Sequence, residues 1–202
     1  MVSALILIAD GTEEMEFTIT YDTLVRAGAS CTSAFVSTEE RQGDSGSYEK
    51  NPPFAKGSRG INILPDTYFS PQAHTPDKFD LLVIPGGAKG AETISNSSPV
   101  QHLVRQFLEA GKYVGMICAG SLAALTAKLP KQPLTSHPSV KDRLADAFVY
   151  SEQSVVVSGK LVTSRGPGTT FPFAFTLVEM LFGKEKREEV IGPMVFPPGT
   201  WA

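Results

Sequence analysis

Cys118 stands at the junction of two unlike stretches. Before it, Tyr113-Val114-Gly115-Met116-Ile117 is a short apolar run. After it, Ala119-Gly120-Ser121-Leu122-Ala123-Ala124-Leu125 favours a helix. Strand, sharp turn and helix make an elbow that lifts a side chain above the carboxyl ends of a sheet, where open α/β folds bind ligands. A sulfur there faces helix N-terminal amides, which favour thiolate over thiol, so the position predicts a lowered pKa and a nucleophile. The small Ala119 and Gly120 would leave the sulfur uncrowded. The competing reading is a buried cysteine acting as a small hydrophobe, and the turn's residues alone leave both open.

A nucleophile needs proton-handling partners. Of the three histidines, His74 lies in a polar loop and reads as solvated. His102 falls on the polar face of a helix. His137 ends a strand and precedes Pro138, which would put it on the same rim as Cys118; a plain turn histidine fits equally. Glu13, Glu14 and Glu16 follow the first strand, as ordinary helix N-terminal acids do. A functional role needs one of them turned inward. Glu16, between Met15 and Phe17, is the candidate: an apolar setting raises its pKa, and a protonated carboxyl can donate to a thiolate and shuttle a proton. Gly86-Gly87 after a buried strand permits close backbone approach. The Gly87 and Ala119 amides could form an oxyanion hole; a strand-ending turn is the alternative.

Positioning these residues requires a parallel sheet. The apolar run of residues 3 to 9 reads as a strand buried on both faces. Asp10-Gly11 turns, and a helix follows with Thr12 as its cap, ending near Arg26. Residues 30 to 36 form a second strand. Residues 38 to 59 are polar, rich in Gly, Ser and Pro, and read as a long exposed loop. A short strand spans 61 to 64, and 67 to 78 read as an irregular connection. Residues 80 to 85 are a strong buried strand. Ser98 caps a helix, with Pro99 at its first position and Gln101 closing a capping box. Further strands fall at 113 to 117 and 133 to 136, with a helix over 139 to 148. A hairpin spans 148 to 164, turning at Ser158-Gly159. Residues 171 to 182 form an amphipathic helix, 184 to 190 a charged helical turn or two, and the end from Phe196 is loop. Alternating β and α elements predict a doubly wound α/β domain with helices on both faces.

The 202 residues fit one domain, with 42% hydrophobic and 19% charged residues. The net charge of -3, with no basic stripe, argues against nucleic acid or anionic membranes as partners. No apolar run is long enough to span a bilayer, and no basic start precedes a signal-like core. Two distant cysteines, Cys31 and Cys118, fit a reduced cytosolic chain better than a disulfide scaffold.

Five stretches carry a family resemblance: Ala9-Asp10-Gly11-Thr12-Glu13-Glu14-Met15-Glu16, Val83-Ile84-Pro85-Gly86-Gly87, Ile117-Cys118-Ala119-Gly120, Thr135-Ser136-His137-Pro138, and Leu161-Val162-Thr163-Ser164-Arg165-Gly166-Pro167-Gly168-Thr169. In this order they resemble the DJ-one branch of the PfpI superfamily over nearly the whole chain. The resemblance implies flavodoxin-like subunits, a mostly parallel sheet and a homodimer. It makes Cys118 an oxidisable nucleophile, Glu16 the carboxyl touching it and His137 the nearby histidine. Gly86, Gly87 and Ala119 become the substrate-binding and oxyanion residues. The implied activity is a cysteine-dependent, glutathione-independent glyoxalase (glyoxalase III, a lyase) converting an α-oxoaldehyde such as methylglyoxal to lactate, with a deglycase (hydrolase) activity alongside. No metal or other cofactor is expected, and the cytoplasm, with the nucleus, is the expected location. The alternative is a non-enzymatic redox sensor or chaperone acting through Cys118 sulfinate. The 38 to 59 loop and the 196 to 202 tail depart from the family pattern. The intracellular peptidases of the superfamily carry His where Ala119 stands, and glutamine amidotransferases need a downstream His-x-Glu that is absent, so both readings are set aside.

Overall fold

The computed structural model describes residues 1 to 37 and 54 to 200. Its elements, in chain order, begin with β1 (Ser3–Ile8), α1 (Glu14–Arg26) and β2 (Ser30–Phe35). Three two-residue strands follow, β3 (Ala55–Lys56), β4 (Asn62–Ile63) and β5 (Thr67–Tyr68), then β6 (Leu81–Ile84), α2 (Ala88–Asn96), α3 (Ser98–Glu109) and β7 (Tyr113–Ile117). Beyond the elbow lie α4 (Leu122–Thr126), β8 (Pro133–Leu134), α5 (Lys141–Leu144), β9 (Val149–Tyr150), β10 (Val155–Ser158), β11 (Leu161–Ser164), α6 (Thr170–Phe182) and α7 (Lys184–Ile191).

Seven strands form the main sheet in the order β10-β11-β7-β6-β1-β2-β5. All neighbours run parallel except β10 on β11. Alternation fails in the central strands because both faces are covered: β6 is buried throughout, and β1 from Ala4 to Ile8. One face is packed by α1 and α6, with α7 against α6, and the other by α2, α3 and α4. This is the expected flavodoxin-like, mostly parallel arrangement. The chain moves from β1 outward to β2 and returns past β1 to β6, so the strand order reverses between β1 and β6. Crevices at the carboxyl ends beside such a reversal are where open α/β sheets place ligands.

Several local readings need correction. Thr12 does not cap α1: its hydroxyl accepts from the Ala9 amide, and Glu13 caps instead, accepting from the Glu16 amide at 2.8 Å. Ser97, not Ser98, precedes α3, and the Gln101 amide reaches the Ser95 carbonyl rather than closing a box. Within 67 to 78, β5 joins the main sheet as an edge strand against β2. His74 in that segment is buried rather than solvated, between the rings of Phe69 and Phe79. The strand at 133 to 136 shortens to β8, which pairs with β9 outside the main sheet, so only β10 and β11 form the hairpin.

The exposed loop expected over 38 to 59 falls in two parts. Residues 38 to 53 lie outside the described residues. Residues 54 to 59 are no free loop: β3 pairs antiparallel with β4, and Ala55 is fully buried beside Ile8 and Phe35. In the tail, Phe196 packs edge-on against Phe171 and Phe175 of α6, so aromatic contacts hold it to the body.

Candidate active site

The β7 strand ends in an elbow. Cys118 adopts φ 62°, the left-handed region that L-residues other than glycine rarely enter. A tight 3-10 turn over Cys118–Ser121 leads into the short α4. Gly120 serves the fit beneath: a Cβ there would strike the Ile84 and Pro85 carbonyls. Its size therefore lets the turn lie on β6 rather than clearing space around the sulfur. The neighbouring segment holds the strained residue, with the His137 amide donating to the Cys118 carbonyl at 3.3 Å and the Ser121 hydroxyl to the Thr135 carbonyl at 2.9 Å.

Glu16 arrives from the other side, in the first turn of α1. Its side chain is fully buried and hydrogen-bonded to Cys118, and its Oε2 accepts from the Gly86 amide at 2.6 Å. Its Oε1 is buried with no hydrogen-bond partner. Gly86 runs between the two groups: a Cβ there would lie 2.7 Å from Glu16 Oε2 and 2.8 Å from Cys118 Sγ. Only glycine fits that position. The amides of Gly87 and Ala119 both hydrogen-bond the sulfur. The structure thus brings Cys118, Glu16, Gly86, Gly87 and Ala119 into one cluster.

Burial drives the Glu16 carboxyl up to about 7, against the pull of the Gly86 amide and the Cys118 thiol, with the Glu13 carboxylate adding to the rise. The apolar environment is not the flanking residues, since Met15 is exposed; it is the closed interior between α1 and the β6 and β7 ends. Cys118 departs from the expected lowered pKa. Burial first, then the Glu16 carboxylate, push its thiol up to about 12, outweighing the Gly87 and Ala119 amides. The sulfur sits on no open rim either, as Cys118 is 8% exposed. Two negative charges cannot share this enclosure, so the pair carries at most one, either on the carboxylate or, after one proton moves along the contact, on a sulfur held by two amides.

His137 comes beside Cys118 through its backbone. Its ring Nδ1 lies 2.8 Å from the Ser139 hydroxyl and accepts from the Ser139 amide at 3.2 Å. Sequence reasoning missed Glu14. Its carboxylate reaches the loop between β3 and β4, accepting from the Arg59 amide at 2.6 Å, the Ser58 hydroxyl at 2.9 Å and the Ile61 amide at 3.4 Å. A partner 45 residues away leaves no local signal. Among the described residues, no cluster of three or more His, Cys, Asp or Glu could hold a metal ion, and no helix is long and apolar enough to cross a membrane.

The sequence model of the DJ-1/PfpI family matches residues 2–180. The chain belongs to that family. It is 40% identical over 190 residues to protein dj-1beta of Drosophila melanogaster, covering 93% of this chain and 94% of that one. It is 33% identical over 202 residues to the glutathione-independent glyoxalase DJ-1 of Schizosaccharomyces pombe, covering 98% and 100%. Among solved structures, S. pombe DJ-1 superposes with a TM-score of 0.85 at 33% identity, covering 97% of this chain and 100% of that one. The crystal structure of Drosophila DJ-1beta gives 0.84 at 38% identity, covering 97% and 99%. These family members share the flavodoxin-like fold described above.

Proposed function

We propose that the protein is a cysteine-dependent, glutathione-independent glyoxalase converting methylglyoxal, or a closely related α-oxoaldehyde, to its 2-hydroxy acid. The observation that carries the reading is the buried contact between Cys118 and a carboxyl raised to about 7, flanked by two amides aimed at the sulfur. The activity in the name of the S. pombe relative supports the same choice.

In this reading Glu16 takes the thiol proton and the sulfur attacks the aldehyde carbon, forming a hemithioacetal. The Gly87 and Ala119 amides hold the developing oxyanion. Glu16 passes that proton on to the oxyanion and, as a carboxylate again, moves the proton from the aldehyde carbon to the ketone carbon through an enediol, giving a lactoyl thioester. Water cleaves the thioester, releasing lactate and restoring the thiol. No electrons leave the substrate, since one carbon is oxidised as its neighbour is reduced. A carboxyl titrating near the working pH suits both directions of proton transfer. His137 serves chiefly through its amide, which fixes the Cys118 main chain.

The subunit acts as a homodimer in this proposal. Met15, Ile61 and Leu64 are exposed at 52%, 59% and 75% around the α1 start and the β3–β4 hairpin. An isologous pair would cover them. Sedimentation at micromolar concentration should give a dimer; a monomer rejects this part.

The test of the activity is lactate formed from methylglyoxal in glutathione-free buffer. Wild type should turn over and Cys118→Ala should fall to background. Wild-type turnover in Cys118→Ala refutes the covalent mechanism. No lactate from wild type gives first place to redox sensing through the same cysteine.

A further inference from the structure

Cys118 keeps its left-handed φ of 62° because its surroundings hold it there. Two of the holding contacts come from one segment. The His137 amide donates to the Cys118 carbonyl, and the Thr135 carbonyl accepts from the Ser121 hydroxyl. The first is 3.3 Å long, at the far end of the hydrogen-bond range, so it has little slack. Residues 135 to 137 therefore set the shape of the elbow. They lie just past β8, which is two residues long and pairs outside the main sheet, so no long ladder fixes them.

Side chains fix them instead. The Thr163 hydroxyl on β11 accepts from the Thr135 amide at 3.0 Å. Beyond that point the support comes from β9. Val149 is 55% exposed, and Tyr150 beside it packs against the core. The Tyr150 hydroxyl donates to the Ser136 carbonyl at 3.2 Å and lies 3.0 Å from the Ser136 hydroxyl. Ser136 is fully buried, and its hydroxyl donates to the His137 carbonyl at 3.0 Å. One tyrosine oxygen thus grips both the main chain and the side chain of Ser136, and the next amide along is the one that holds Cys118. Lys141 Nζ lies 5.3 Å from the centroid of the Tyr150 ring and pairs with Glu152 at 2.6 Å. That pair is solvated, its side chains 42% and 62% exposed, and contributes little. The hydroxyl, rather than the cation over the ring, carries the connection to the elbow.

We propose, on the reading of Cys118 as the nucleophile, that Tyr150 is a positioning residue of the active site, acting through Ser136 and His137 on the Cys118 main chain. With its hydroxyl in place, the His137 amide stays within reach of the Cys118 carbonyl, the strained turn holds, and the sulfur stays on the Gly87 and Ala119 amides. Without it, the Ser136 carbonyl loses that donor and the turn relaxes, so sulfur and amides no longer align. Alignment of nucleophile and oxyanion donors matters most in the transition state, so the loss falls on the chemical step.

Tyr150→Phe removes the hydroxyl and keeps the ring. Its kcat for methylglyoxal should fall about three- to tenfold, with KM within about twofold of wild type. Lys141→Gln, which removes the solvated pair, should keep kcat within about twofold. Amide hydrogen exchange gives a second readout that needs no substrate. In Tyr150→Phe the His137 amide should lose about threefold or more protection beyond any loss at the β1 amides, because the opening is local. Wild-type kcat in Tyr150→Phe overturns the proposal, as does a rise in KM alone. Equal loss of protection at His137 and in β1 also overturns it, since a merely structural tyrosine would lower both alike. If wild type forms no lactate, the glyoxalase reading fails, and the exchange comparison alone decides the role of Tyr150.

Discussion

Glu14 and Glu16 stand two residues apart in the first turn of α1 and are both buried. Burial alone would raise either carboxyl. At Glu14 it is outweighed by the Arg59 amide, then by Glu14's own amide, the Ser58 hydroxyl and the Ile61 amide, so the group ends below its ordinary value. At Glu16 one amide and one thiol are too few, and one oxygen has no partner at all. The number of donors, rather than depth, separates a carboxylate that holds a loop from a carboxyl poised to move protons. Two neighbouring acids with pKa values driven apart are a mark of acid–base assignment.

The largest expected effect breaks the comparison on the catalytic side. Glu16→Gln keeps the shape but cannot cycle a proton, and turnover of methylglyoxal should fall by roughly 10²–10⁴-fold. Glu14→Gln should leave kcat within a few-fold of wild type. Steady-state kinetics of both variants check this, and equal losses would end the division of labour.

Stability should separate the two in the opposite sense. Glu14→Gln removes charge-assisted hydrogen bonds that tie the β3–β4 loop to α1, and should cost about 1–3 kcal/mol in urea unfolding. Their pH signs also differ. The Glu16 carboxyl is raised from 4.5 to about 7, so it favours the folded state fully below pH 4.5 and loses that contribution as pH rises to about 7, a change of about 3 kcal/mol. Glu14 is lowered, so its contribution is present above pH 4.5 and is lost as pH falls through its folded value. Unfolding curves taken from pH 8 to well below pH 4.5 should therefore flatten above pH 4.5 in Glu16→Gln and lose their acid limb below it in Glu14→Gln.

The smallest effect concerns the two thiols. Burial pushes both Cys31 and Cys118 up to about 12, and Cys31 is the more exposed of the two. Exposure alone would favour Cys31. The Gly87 and Ala119 amides and the Glu16 carboxyl can hold the negative oxygens of a sulfinate at Cys118, whereas the hydrogen-bond partner of the Cys31 sulfur among the described residues is the Tyr21 carbonyl, an acceptor, and Asp66 contributes repulsion. Limited peroxide followed by peptide mass spectrometry should find Cys118 ahead, by a few-fold. Cys31 oxidised first would show that exposure governs.

What was legible in the sequence follows how local each signal is. The Cys118 elbow could be read because an apolar run, a small turn and a helix former adjoin one another. The buried strands β1 and β6 were equally plain. By contrast, β5 is two residues long and has meaning only as a partner for β2. The nine-residue α2 helix was not read because it is short and carries Gly90 inside it; the glycine is there because a Cβ would meet the Thr12 backbone at 2.6 Å. Glu16 could be singled out as the inward acid, yet its surroundings were misplaced, since they come from Gly86 and Cys118 rather than its sequence neighbours. The Cys118 pKa went the wrong way because a helix-dipole argument leaves out burial and the carboxylate alongside. The α4 helix is also only five residues long, so the dipole it can offer is small.

The direct test is the titration of the two carboxyls themselves, followed by the side-chain 13C shifts of Glu14 and Glu16 in the reduced protein. The account predicts Glu16 near 7 and Glu14 below 4.5. It also predicts that Cys118→Ala raises Glu16 further, since the thiol hydrogen bond that favours the carboxylate is gone. Both groups titrating together near 4.5, or Glu16 falling below Glu14, would contradict it.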